Sequence, residues 1–503
     1  MINQQNNYRM TKILKWAGIL LLAILALLAV VLTVNTLSLE KPKPSETQET
    51  QLWEFPQMAK RLSKAISIET VSQDEPTEID TTKFIAFMGF LESEYPLIHS
   101  ELELTKINEL SLLYRWEAFE HSEKKGLLLA AHYDVVPAEG YSLAQWSHPP
   151  FAGEIADGYL YGRGALDNKQ SVIGVMEAVE RLLERGYVPN RDIYLALGHD
   201  EEIGGMMGAR AIADHLEKEG VTLEFTLDEG LVVTRGIVPG VERDVALIGL
   251  SEKGFVSVKI TVQAEGGHSA FPGEESAITL LSEAILRLQN NQMNPSLTPP
   301  VRAFFQKIGP EMGFVPRLII ANLWLFEGLF LNNLLGNPST ASIVRTTTAP
   351  TIVRAGTKEN VIPGQAEATV NFRILPGQTI EDVMNHIEST INDPRFTFEK
   401  TKLYSDPSPL SSAESEAYQQ IKRSIGKVFP EVIIAPSLMN AVADARHYTE
   451  ISADVYRFAP MVLESEDLNR IHGIDERISL KGLQKIPSFY KNLLKSNSVR
   501  KID

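Results

Sequence analysis

The 503-residue chain contains no cysteine. Disulfides, thiol nucleophiles and cysteine-held zinc are thereby excluded, so any metal must be held by His, Asp or Glu. Clustered Lys and Arg are also missing. The net charge of −16 leaves no basic footprint for nucleic acid. No Gly-x-Ser-x-Gly elbow occurs, which removes the usual seat of a serine nucleophile on an α/β sheet. No internal repeat is apparent. Long apolar runs are scarce: one lies at the N-terminus and a broken one near the middle.

The first run, Trp16–Leu32, is uninterrupted and extends with gaps to Leu39. It is long enough to cross a bilayer as a helix. Arg9, Lys12 and Lys15 precede it, and the positive-inside bias then keeps the N-terminus cytoplasmic and sends the bulk of the chain across. No small-x-small cleavage site follows, which favours a retained signal anchor over a cleaved signal peptide. The expected location is the membrane, single-pass, with an extracytoplasmic catalytic part. This part is periplasmic or lumenal, or secreted if the anchor is cut. Residues 1–12 form the cytoplasmic stub, 13–37 the span and 38–52 a Pro-containing linker.

Beyond the linker, strands alternate with amphipathic helices, the pattern of an α/β domain with a mainly parallel sheet. Leu127–Pro137 (LLLAAHYDVVP) reads as a buried strand ending in His132 and Asp134. Residues i and i+2 share a face of a strand, so the two sit together where the strand leaves the core. After Leu250 the style changes to a compact β-α-β-β-α-β set resembling a ferredoxin-like layer. The α/β style returns from about Pro409. The expected organisation is one catalytic domain, 53–249 and 406–503, interrupted by a lid at 250–405. Within the lid, 291–337 is an apolar insert, including Leu318–Leu335, read as a buried helix pair or as an apolar binding surface. Ser342–Ala355 reads as a strand and Ala443–Thr449 as a helix.

His132, Asp134, Glu201, Glu202, Asp228 and His472 fall at or beyond predicted strand ends, and Asp167 lies in a Gly-rich turn before a helix. Ligands gather beyond the carboxyl ends of strands in such sheets. This donor set suffices for two hard-to-borderline metals with one shared carboxylate, for which Asp167 is well placed. Glu201 and Glu202 are adjacent and point to different sides. One can bind metal while the other serves as a general base.

The ordered motifs His132-Tyr-Asp134-Val-Val-Pro137, Gly162-Arg-Gly-Ala-Leu-Asp167-Asn-Lys169, Asp200-Glu201-Glu202, Asp228-Glu-Gly230, Gly266-Gly-His268-Ser-Ala-Phe-Pro272, Asn360-Val-Ile-Pro363 and His472-Gly-Ile-Asp-Glu476 resemble the co-catalytic dizinc metallopeptidase family of aminoacylase, succinyl-diaminopimelate desuccinylase and carboxypeptidase S. The resemblance is nearest to carboxypeptidase S and the secreted N-acyl amino acid hydrolases. It implies a zinc-exopeptidase-like fold and two Zn2+ per subunit, with Co2+ or Mn2+ able to take the same donors. It further implies that His132 and Asp228 hold one metal, that Glu202 and His472 hold the other, and that Asp167 bridges them. Asp134 then orients His132. Glu201 takes a proton from the attacking water and passes it to the leaving nitrogen. His268 stabilises the oxyanion, in many relatives from a partner subunit's lid, which implies a homodimer. Asn360 and Arg373 contact substrate, and Arg446 binds its carboxylate. Relatives often carry Gly-Thr or Asn-Thr before Asp444, where this chain has Val442-Ala443. The implied activity is hydrolysis of peptide or amide C–N bonds beside a free carboxylate. The substrate is a small peptide or an N-acyl amino acid, with an N-fatty-acyl amino acid hydrolase/synthase as the alternative. A metal-free binding protein is disfavoured by the complete ligand set.

Overall fold

The computed structural model describes residues 2–42, 54–73, 79–119 and 122–500. The linker expected at 38–52 lies mostly outside them. The chain first forms β1 (Glu103–Ile107), β2 (Ser111–Trp116), β3 (Gly126–His132), β4 (Ile193–Gly198), β5 (Leu223–Asp228), β6 (Val233–Arg235) and β7 (Val245–Glu252). It then forms β8 (Gly254–Gln263), β9 (Thr347–Ala355), β10 (Gln365–Ile374) and β11 (Phe396–Ser405). The large sheet is completed by β12 (Ile433–Met439), β13 (Ser452–Arg457) and β14 (Val462–Glu464).

A 10-stranded sheet runs β1-β2-β4-β3-β5-β13-β7-β6-β14, with β12 also pairing β7. Its centre, β4-β3-β5-β13, is parallel. β1, β2 and β4 are antiparallel, as are β13, β7 and β6. The sheet is therefore mixed rather than mainly parallel. β3 is buried along its whole length, as expected of a parallel strand covered on both faces. β2 is nearly as buried. An apolar run therefore did not reveal strand direction.

The helix Lys169–Leu183 lies almost wholly buried against Lys485–Lys495. Gly174 permits this approach, since a Cβ there would lie 2.4 Å from Ile486 Cγ2. A late strand, Ser498–Arg500, also pairs with Tyr187–Pro189. Helix starts follow side-chain capping: Asp80 accepts from Thr82 N–H, and Ser276 and Thr379 close capping boxes.

The four-stranded antiparallel sheet β9-β10-β8-β11 carries Ala277–Asn290 and Ile380–Ile391 on its apolar face. β8 and β10 alternate buried and half-buried residues accordingly. This separate small sheet resembles that of a lid domain. Two local readings change. Pro338–Val344 is a helix, so β9 begins only at Thr347. Asp444–Tyr448 is a short 3-10 turn. The apolar insert folds into Pro299–Ile308, Phe314–Ala321 and Leu323–Leu335. Its core residues Val301, Phe305 and Ile308 pack with Ile433, Ala435 and Leu438 of the large sheet. Ile2–Ser38 is one helix, of which Met10–Ser38 is long and apolar enough to cross a membrane.

Candidate metal centre

Parallel pairing fixes the site's level: His132 ends β3 opposite Gly198 of β4, and Asp228 ends β5. After Gly198 the chain turns into a 3-10 segment, Glu201–Ile203, so both glutamates stand on the same rim. Asp134 organises the two. Its Oδ1 lies 3.2 Å from His132 Nδ1, and it accepts the backbone N–H groups of Glu201 (3.2 Å) and Glu202 (3.1 Å). Ser72 donates its hydroxyl to Asp134 Oδ2 at 2.5 Å. Burial works against the Asp134 charge, but the hydrogen bonds from His132 and Ser72 hold it below the usual carboxylate range. With Nδ1–H committed to Asp134, His132 presents Nε2 outward.

Asp167 meets that nitrogen. Its Oδ1 is 3.0 Å from His132 Nε2, and its Oδ2 is 3.1 Å from His472 Nε2. One carboxylate thus touches both histidines, one oxygen to each. Glu202 Oε2 completes the second side, 3.2 Å from His472 Nε2. On the first side Glu229 Oε1 is 3.0 Å from His132 Nε2, and Glu201 Oε2 is 3.9 Å away. His132, Asp167 and Glu202 form one group with metal-ligand spacing, and His132, Glu201 and Glu229 another.

The residue seen against His132 is therefore Glu229, not its neighbour Asp228. Asp228 accepts the Glu229 N–H at 2.8 Å through Oδ1, and its Oδ2 is buried with no hydrogen-bond partner. Glu202 Oε1 is orphaned in the same way. A buried unsatisfied carboxylate oxygen is costly, and a cation is the partner this donor set fits. The charges agree. Burial pushes the Glu201 carboxyl well above its ordinary range, with Asp444, Glu229 and Glu202 adding repulsion. Burial and Asp167 push Glu229 up to about 8. Hydrogen bonds to Asp167 and Glu202 raise His472 to about 10.

A further carboxylate supports the loop bearing Asp167. Glu476 Oε1 accepts the N–H groups of Gly164 (3.0 Å), Leu166 (2.7 Å) and Asp167 (3.2 Å), while Oε2 pairs with Arg163 Nη1 at 2.6 Å. Arg163 also donates to the His472 carbonyl. Sequence reasoning gave Glu476 no role, although it closes the quoted motif after His472. It also passed over Ser72, Glu229 and Asp444, whose buried carboxyl is pushed well up by burial and by Asp228 and Asp200.

Arg446 and Arg373 lie close enough for their charges to interact. Arg446 donates to the carbonyls of Ala443 (3.1 Å) and Gly204 (2.8 Å). Arg373 stacks 5.6 Å from the Phe255 ring, and its Nη1 is buried without a partner. Burial and the Arg446 charge weaken its proton affinity. His268 is exposed in a two-residue pairing with Val361–Ile362, and its Nδ1 accepts the Ala270 N–H. It makes no hydrogen bond or ion pair with the carboxylate cluster among the described residues. Asn360 is exposed, and its carbonyl accepts the Ser269 N–H.

The protonation pattern predicts proton release on metal loading. Metal ligands must be deprotonated. In the metal-free protein the hydrogen bonds to Asp167 and Glu202 raise His472 to about 10, so this ligand carries a proton at pH 7. Zinc binding displaces protons, and apparent affinity climbs as pH rises from 7. Calorimetric titrations in buffers of different ionisation enthalpy should detect at least about one proton released per chain at pH 7. A buffer-independent heat contradicts this.

Residues 128–496 match the model of peptidase family M20/M25/M40. A probable carboxypeptidase S-like 2 of Dictyostelium discoideum is 41% identical over 444 residues, covering 88% of this chain and 85% of the relative. An N-fatty-acyl-amino acid synthase/hydrolase PM20D1.1 of Danio rerio is 46% identical over 379 residues, covering 75% and 73%. In fold the chain is similar to the M20 family metallo-carboxypeptidase Sso-CP2 from Sulfolobus solfataricus. That match has a TM-score of 0.63 and 19% identity, over 86% of this chain and 98% of that one. Human carnosine dipeptidase 1 superposes with a TM-score of 0.57 at 17% identity, over 87% and 97%. The chain belongs to peptidase family M20/M25/M40 and is a zinc-dependent hydrolase of peptide and amide bonds beside a free carboxylate.

Proposed function

We infer that the enzyme hydrolyses N-acyl amino acids, with long-chain fatty acyl groups preferred to a second amino acid. The observation that carries the catalytic part is the Asp167 carboxylate between His132 and His472, with Glu201 Oε2 3.9 Å from His132 Nε2. His132 and Asp228 would hold one zinc and Glu202 and His472 the other, with Asp167 shared between the two sites. When bound, the ions supply Lewis acidity at the scissile carbonyl and acidify the attacking water. Glu201, kept proton-hungry by burial, accepts that proton at a carboxylate oxygen and delivers it to the leaving nitrogen. His268 donates to the developing oxyanion. Because it stands on the exposed lid, this role suits a dimer in which lids are exchanged; the exposed edge strand β9 offers the pairing surface.

Arg373 and Arg446 take the free carboxylate. Two neighbouring guanidiniums, one with a buried orphaned Nη1, are the complement of a planar anion, and Asn360 contacts the same substrate. The acyl preference rests on the apolar N-terminal helix, the apolar insert and the relative named for N-fatty-acyl-amino acids. The helix anchors the chain in a membrane with the N-terminus cytoplasmic. Turnover of N-oleoyl amino acids and blocked dipeptides by the purified full chain tests the preference; turnover of dipeptides alone sinks it. Light scattering on the same preparation should read a dimer, and a strict monomer removes the exchanged His268.

The metal assignment has its own test. Asp228→Asn should lower bound zinc by about one ion per chain, whereas Glu229→Gln should retain both. The reverse pattern, read by elemental analysis, would move the ligand to Glu229.

A further inference from the structure

The N-terminal helix is docked on the apolar insert. Asn35 Nδ2 donates to Asn322 Oδ1 at 2.9 Å, and Asn322 Nδ2 donates to the carbonyls of Leu318 (2.9 Å) and Leu32 (3.2 Å). Thr36 and Asn322 are 1% and 0% exposed. Just beyond, Arg317 donates to the Leu39 carbonyl, Arg243 to that of Pro42, and Leu39 joins the insert's core. Polar side chains that satisfy one another between helices suit a medium without water.

The level of this contact is informative. At ~1.5 Å per residue, Trp16–Leu32 spans roughly 25 Å, short of the ~30 Å hydrocarbon core. The span expected at 13–37 takes in the next turn, and Val34 and Leu37 there are exposed and apolar. That turn is the one Asn322 grips. Whatever surrounds residues 32–37 also meets the parts of the insert beside them. The helices Phe314–Ala321 and Leu323–Leu335 expose Phe314 (63%), Val315, Trp324 (62%), Leu325 and Leu329 (59%). In Leu323–Leu335 the exposed apolar side chains are Trp324, Leu325 and Leu329, the last two one turn apart, with Asn332 and Asn333 exposed toward the C-terminal end. Trp prefers the bilayer interface.

We propose that the helices Phe314–Ala321 and Leu323–Leu335 lie in the interfacial layer of a phospholipid bilayer, their exposed apolar face covered by lipid. The catalytic unit is then held at the membrane by two contacts, the anchor helix and this platform. This rests on the anchor reading above, and the test separates the two.

The absence of cysteine permits single nitroxide labels in the full chain. Leu20→Cys reports the anchor and Trp324→Cys and Leu329→Cys the platform. Leu286→Cys, on the exposed side of a lid helix, is the aqueous reference. In phosphatidylcholine nanodiscs, collision rates with oxygen and with a water-soluble nickel chelate give depth. The expected result is an oxygen-to-nickel ratio several-fold above the Leu286 reference at positions 20, 324 and 329. A protected Leu20 with aqueous Trp324 and Leu329 overturns the platform and leaves the anchor standing. An aqueous Leu20 overturns both. Labels at 324 and 329 shielded from both reagents indicate a protein cover, which also overturns the proposal.

Discussion

Glu201→Gln should lower kcat by about 10²–10⁴-fold, the usual worth of a positioned general base, while both zinc ions stay bound. The amide keeps the size of the side chain and its place on the 3-10 turn, whose backbone is pinned through the Asp134 hydrogen bonds. What is lost is a single proton site, 3.9 Å from His132 Nε2. Burial raises that site's proton affinity well above that of a free carboxylate. Steady-state kinetics with elemental analysis on the same preparation separates base from ligand. Normal turnover would reject Glu201 as the base; lost zinc would make it a ligand instead.

Glu476→Ala should destabilise the fold by about 3–5 kcal/mol, the cost of stripping a buried charge of its partner. Arg163 would be left buried and unpaired, and three backbone N–H groups of the Asp167 loop would lose their acceptor. Because Asp167 touches both histidines, zinc content should fall with stability. Glu476→Gln keeps an acceptor oxygen and should cost less. Chemical denaturation measures both variants. A loss below about 1 kcal/mol for the alanine variant would mean that water replaces the carboxylate.

Much of the site was legible because its residues obey local rules. His132 and Asp134 stand two apart at a strand end, and Glu201, Glu202 and Asp228 follow apolar runs that became β4 and β5. The illegible parts depend on distant chain segments. Strand direction at β2 could not be read from a run buried on both faces. Ser342–Val344 reads as the start of a strand, but Asn337 caps Pro338–Val344 as a helix, its side chain accepting the Ser339 N–H. Glu229 and Asp228 are adjacent, and only the turn after β5 decides which one faces His132. Glu476 finds its partners more than 300 positions upstream. The grip of Asn322 on the N-terminal helix crosses a comparable distance.

The packing of Lys169–Leu183 against Lys485–Lys495 and the pairing of Tyr187–Pro189 with Ser498–Arg500 have a consequence for biogenesis. The first third of the catalytic fold cannot close its hydrophobic core until Lys485–Arg500 has been synthesised. Such long-range closure is slow. Translation proceeds at ~5–20 residues per second, so β3 and its apolar neighbours wait many seconds without their final cover. During that interval the nascent chain is the form most in need of chaperone protection, and His132 waits for His472.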